Sequence, residues 1–153
     1  MFRGSRRRAR GVTLIELVVA ITIVSIAAVA VIGAMSVVSA RSADSMIRQQ
    51  AVALAEAYLE EILLKPVVDP DGIAETGRAN FDDTDDYNGL VDVGAHDQFG
   101  NSIPNLGSYT VSVSVVPTSA LSGVPSSAAR RIDVTVTHPA GTNVLLSGYT
   151  AGY

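Results

Sequence analysis

The chain has no cysteine. That excludes a disulfide scaffold, a thiol nucleophile, a lipid-modified N-terminal cysteine and Cys-ligated zinc or iron–sulfur sites. Histidine is nearly absent too, with only His96 and His138, and the strings G-x-S-x-G, G-x-x-x-x-G-K-[ST] and H-E-x-x-H do not occur. Nothing here matches a nucleophilic, phosphoryl-transfer or zinc-hydrolase signature, so the chain reads as a non-enzyme. Positive charge is scarce beyond Gly11, where six basic residues stand against fifteen acidic ones, a net charge of −9. Nucleic acid is a poor partner for such a body, because binding it requires neutralising phosphates with Lys and Arg. Charged residues of all kinds make up 17% of the chain.

What fills the sequence instead is apolar. Hydrophobic residues make up 48% of the 153, and the mean hydropathy is +0.32. This length allows one domain with an accessory segment and no second full core. The excess is concentrated near the start: from Val12 to Ala40 the only ionisable side chain is Glu16, and Leu17 to Ala40 has neither charge nor proline. A span needs about 20 apolar residues at roughly 1.5 Å each, so this segment is long enough to cross a bilayer. Ahead of it stand Arg3, Arg6, Arg7, Arg8 and Arg10 with no acid among them. Basic residues before a span stay in the cytoplasm, which places the remainder across the membrane, in a bacterium on the periplasmic side. A cleavable secretory signal would have an apolar core of about 7 to 15 residues. A plain anchor would have to tolerate Glu16 unpaired near the bilayer, where ionisable groups normally have a partner or a function.

The string Arg10-Gly11-Val12-Thr13-Leu14-Ile15-Glu16-Leu17-Val18-Val19-Ala20-Ile21, behind its arginine-rich leader, resembles the processing motif of type IV pilins and type II secretion pseudopilins. The resemblance implies that a prepilin peptidase cuts between Gly11 and Val12 and that Val12 is then N-methylated. It also implies partners: the peptidase, other pilin or pseudopilin subunits and an inner-membrane assembly platform. Val12 stands where the family more often has Phe, and Gly33 where many pilins have a kinking proline.

The motif has a physical logic of its own. Cutting at Gly11 gives Val12 an α-ammonium four residues from Glu16. If chains stack with their helices side by side, the ammonium of one meets Glu16 of another, and two charges that are each costly in lipid neutralise one another. A single polar contact in an apolar seam also selects one axial register, as a buried Asn does in coiled coils. Gly11, lacking a Cβ, lets a peptidase approach and extend the backbone.

The helix is expected to continue beyond the membrane. Arg41 to Lys65 contains no Gly or Pro, and Ile47, Ala51, Leu54, Ala55, Tyr58, Leu59 and Ile62 recur at three- and four-residue spacing, which marks one face. Pro66 ends it. Gly33 is the weak point of the rod, costing about 1 kcal/mol against Ala, and is expected to bend or melt on assembly.

Residues 66–107 read as a long surface loop with turn clusters at Asp69-Pro70-Asp71-Gly72 and Asn88-Gly89. Within it, Asp82, Asp83, Asp85 and Asp86 suggest calcium, a hard cation that favours carboxylates. The EF-hand template does not fit, since counting from Asp83 puts Tyr87, Asn88 and Gly94 where ligands and the turn glycine belong. The alternative is a solvated acidic loop that is structural or faces a partner. After the loop the period becomes two, with Tyr109, Val111, Val113 and Val115, then Ile132, Val134 and Val136, then a third run over 143–150, joined to the second by Pro139-Ala140-Gly141-Thr142.

The fold expected is α+β: a long N-terminal helix, half transmembrane and half amphipathic, whose apolar stripe packs on a small antiparallel sheet in a pilin-like lollipop. Its segments are a basic leader (1–11), an assembly helix (12–40), its amphipathic half (41–65), an acidic loop (66–107) and the sheet (108–153). The stretch 49–90 also resembles, less specifically, minor pilins of the mannose-sensitive haemagglutinin type. Two alternatives remain, a type II secretion pseudopilin and a membrane-tethered ligand- or calcium-binding module that never polymerises.

Overall fold

The computed structural model describes residues 11–73 and 75–152, and side chains at 39–41 are outside that description. The arginines of the leader and the segment 1–10 therefore lie outside the described residues. The chain divides into two compact units, Met1–Ser42 and Ala43–Tyr153.

One α-helix, α1, runs over Leu14–Leu63. It starts two residues later than expected because Thr13 caps it, with the Thr13 Oγ1 accepting the Glu16 N–H at 3.3 Å. At the other end it tightens: Lys65 N–H donates to the Ile62 carbonyl at 3.0 Å before Pro66 stops the chain. In the first unit every described side chain from 11 to 38 is exposed. This half of α1 is long and apolar enough to cross a membrane.

The second unit has a core. Four strands, β1 (Val91–Val93), β2 (Thr110–Pro117), β3 (Ala129–His138) and β4 (Thr142–Ala151), form an antiparallel sheet in sequence order. The alternation read from the sequence sets its inner face: Val111, Val113, Val115, Ile132, Val134, Val136 and Val144 are buried there. Ala51, Leu54, Ala55, Tyr58 and Ile62 of α1 belong to the same cluster, as the helical stripe required. Tyr109 ties the two layers, its hydroxyl donating to the Gln50 side chain at 2.7 Å. The β3–β4 hairpin turns through Pro139–Gly141, where Gly141 takes the left-handed backbone (φ 87°) that a three-residue loop needs.

The segment expected as an irregular loop, 66–107, is more ordered than its composition suggested. It holds two 3-10 turns, Arg78–Asn80 and Asp85–Tyr87, and the strand β1. β1 escaped the period-two reading because its pattern is inverted: Val91 and Val93 point out, at 60% and 78% exposure, while Asp92 turns in. It pairs with β2 in the register Val91↔Ser112 and Val93↔Thr110.

Candidate functional site

In the first unit Gly11 and Val12 precede the helix in irregular, exposed backbone, and a side chain added at Gly11 would meet nothing within 4 Å. A peptidase needs an approachable substrate outside regular structure, and the exposed Gly11 and Val12 meet that condition. Cutting there would also leave the helix intact, because Thr13, which supplies the cap, stays on the C-terminal product. Glu16 lies in the first turn of α1. Before any cleavage its carboxylate already sits in the positive field of the unpaired N–H groups at the helix start. Thr13-Leu14-Ile15-Glu16 also has the spacing of a capping box. Thr13 is a capping position that the sequence reading overlooked, and the signal for it was this four-residue string.

Among the described residues of the first unit nothing covers the rest of the helix. Leu14, Ile15, Leu17, Ile26 and Val29 are all more than half exposed. The hydroxyls along it are satisfied internally: Thr22 donates to the Val19 carbonyl at 2.8 Å, Ser25 to Ile21 at 2.7 Å and Ser36 to Ile32 at 3.1 Å. Such back-bonding lets a polar side chain enter lipid without an orphan donor. Gly33 is helical and has no neighbour within 4 Å of where a Cβ would stand.

The acidic loop of the second unit does not gather the four aspartates suggested for calcium. Asp83 caps a turn, its Oδ1 accepting N–H groups of Asp85 at 2.5 Å and Asp86 at 3.1 Å. Asp85 forks onto Arg130, with both oxygens at 2.7 Å. The carboxylates that do converge are Asp69, Asp71 and Asp82 in one group and Glu75, Asp82 and Asp86 in a second, each with oxygens within 4.8 Å of one another. Only Asp82 and Asp86 of the expected set take part. Loss of surrounding water, with Asp86 and Asp82 beside it, pushes the Glu75 carboxyl up to about 7. Loss of water also raises Asp82, with Asp71 and Asp69 adding to the effect.

A second polar cluster was invisible in the sequence. Arg78 is buried and donates to Glu61 Oε2 at 2.8 Å and to Asp92 Oδ2 at 2.5 Å. Its guanidinium lies over the Tyr58 ring, 4.2 Å from the centroid. Tyr58 donates to Asp92 at 2.7 Å and Tyr87 to Glu61 at 2.8 Å. Burial works against the arginine charge, yet its hydrogen bonds to Glu61 and the Tyr58 side chain hold it more firmly protonated than usual. Burial raises Tyr87, and its bond to Glu61 adds to the effect. Each carboxylate of the cluster meets the guanidinium and one tyrosine hydroxyl, the arrangement of a structural staple joining α1, the acidic loop and β1. His96 and His138 are occupied with local backbone, at Gly94 and Ala140.

Among families, residues 6–32 match the prokaryotic N-terminal methylation motif. The match takes in the end of the basic leader from Arg6, the Gly11–Val12 bond, Glu16 and the apolar helix as far as Ile32, and it indicates an N-terminus of the type IV pilin kind, the type that prepilin peptidase processes. No curated protein and no solved structure matches the chain.

Proposed function

We propose that this chain is a minor type IV pilin or pseudopilin: a structural subunit cut between Gly11 and Val12, N-methylated at Val12 and held in the inner membrane by the first half of α1. It then passes into an envelope-spanning filament through contacts between such helices. The observation that carries this reading is Glu16, one carboxylate at the capped start of a helix whose stretch 14–38 is otherwise uncharged, apolar and exposed, four residues beyond an accessible Gly–Val bond. Among the described residues no cation pairs with a carboxylate so placed, and the cut supplies one. The fold agrees in kind, with a helix stripe packed on an antiparallel sheet in the second unit. A type II secretion pseudopilin shares all of these features, and neighbouring genes for a secretin and exoprotein-gating partners distinguish it.

The test is the N-terminus of the native protein, taken from a membrane fraction by mass spectrometry. N-methylated Val12 is the expected result. An intact Met1 sinks the proposal and favours a tether that never polymerises, and a cut beyond the apolar run sinks it in favour of a secreted domain.

A further inference from the structure

The sheet ends in two unlike edges. β1 presents only Val91 and Val93 before Gly94, at φ 85°, turns the chain away. β4 presents its whole length in unbroken register with β3, from Thr142↔His138 to Ala151↔Ala129. Two hydrogen bonds past the strand ends fix which backbone groups point outward. Gly152 N–H donates to the Ala128 carbonyl at 2.9 Å and Thr118 N–H to the Ala129 carbonyl at 3.1 Å. Even-numbered residues of β4 therefore turn their N–H and C=O groups to β3. Asn143, Leu145, Ser147, Tyr149 and Ala151 turn theirs away from the sheet, and among the described residues nothing pairs with them.

Edge strands are normally guarded by shortness, charge, proline, a bulge or a covering element. Thr142 to Ala151 contains no charged residue and no proline, and its register has no bulge. Side chains on both faces suit a neighbour. Leu145 and Tyr149 are exposed on the outer face. On the inner face Leu146 and Leu59 are only partly buried against the core, with Leu59 Cδ1 standing 2.8 Å from where a Cβ on Gly148 would be. Donors and acceptors alternating along an edge are matched by one chemistry, an extended backbone, and its alternate side chains would cover these leucines and Tyr149. A second copy of this chain fits poorly. Antiparallel pairing of β4 with β4 needs a two-fold axis normal to the sheet, which reverses the packed half of α1 between the copies. Chains anchored in one membrane run that helix the same way, and this step rests on the anchoring proposed above. Parallel pairing of two β4 strands meets the outward groups only one residue out of step, which does not close into a symmetric pair. The β1 edge of a copy offers only Val91 and Val93. We propose that the outer edge of β4 takes an extended strand of a different polypeptide, with apolar side chains at alternate positions, as the fifth strand of the sheet.

Residue-resolved hydrogen exchange on the full chain in detergent tests this, with and without an end-capped peptide of alternating valine and threonine flanked by lysines. Without peptide, the amides of Leu145, Ser147 and Tyr149 should exchange freely while those of Leu146 and Gly148 are protected. With it, those three should slow about tenfold or more and Val91 and Val93 should not change. Ser147→Pro removes an outward N–H without costing a bond to β3, and Leu145→Lys leaves the backbone intact and adds a guarding charge. Each should weaken peptide binding about tenfold, while persistent protection of Leu146 and Gly148 shows that the sheet is still folded. No slowing at β4, equal slowing at Val91 and Val93, or undiminished binding by both variants would overturn the proposal. Protection of Leu145, Ser147 and Tyr149 in a dimer of the chain alone would overturn it too, by making a second copy the occupant. The filament reading is judged separately, by the N-terminus at Val12.

Discussion

The two units of this chain put apolar side chains to opposite uses. In Ala43–Tyr153 they alternate along strands or recur every third or fourth residue along the helix, and they end up buried against one another. In Met1–Ser42 they surround the described helix on all sides, and none of the described ones is buried. The first pattern makes a self-sufficient core, whereas the second makes a surface whose partner is lipid or other helices. The same contrast governs charge. Arg78, Glu61 and Asp92 compensate one another inside the folded body, while Glu16 has no cation among the described residues and depends on what processing and assembly bring.

The contrast breaks most sharply at Glu16. Glu16→Leu should leave cleavage and the folded body intact and reduce filament incorporation roughly tenfold or more, the scale expected when a desolvated charge pair is lost. Blotting of sheared filaments against whole-cell protein measures it, and normal incorporation would contradict the pairing argument. The converse substitution is Arg78→Met, which leaves processing untouched but strands Glu61 and Asp92. Denaturant unfolding of the detergent-solubilised chain should show a loss of about 3 kcal/mol or more.

Smaller effects sharpen the picture. A Cβ at Gly148 would stand 2.8 Å from Leu59 Cδ1, so Gly148→Ala should destabilise the body by about 1 kcal/mol, with Leu59→Ala in the same chain relieving the clash. Glu75 gives a pH dependence whose sign follows from its raised carboxyl, about 7 in the folded chain against an ordinary 4.5. The folded state holds this proton more tightly than the unfolded one. Its contribution is therefore complete below about pH 4.5 and is lost as pH rises through about 7. The thermal midpoint should fall across that window, and Glu75→Gln should flatten the fall. Least of all, Val24→Ser on the exposed helix should shift unfolding of the body by no more than about 0.5 kcal/mol.

The methylation motif, the span, the helical stripe and β2 to β4 were all legible in the sequence. Each is a local regularity: a missing charge, a spacing of three and four, or an alternation of two. The candidate cation ligands were legible only as a composition. Asp83 and Asp85 share their string with Asp82 and Asp86 but bend to a turn and to Arg130, forty-five residues away. Glu75, Asp69 and Asp71 come in from outside that string. β1 was missed because its inward residue is an aspartate, which reads as loop until the arginine facing it is known.

The sequence by itself determined the N-terminal half, because the surface that half presents is set by side-chain order along one helix. Only the tertiary structure decided the polar interior of the body. There Arg78 reaches Glu61 and Asp92 across separations of seventeen and fourteen residues, and Tyr58 reaches Asp92 across thirty-four. A buried charge is tolerable only beside its partners, and those partners meet only once the helix, the acidic loop and β1 have come together.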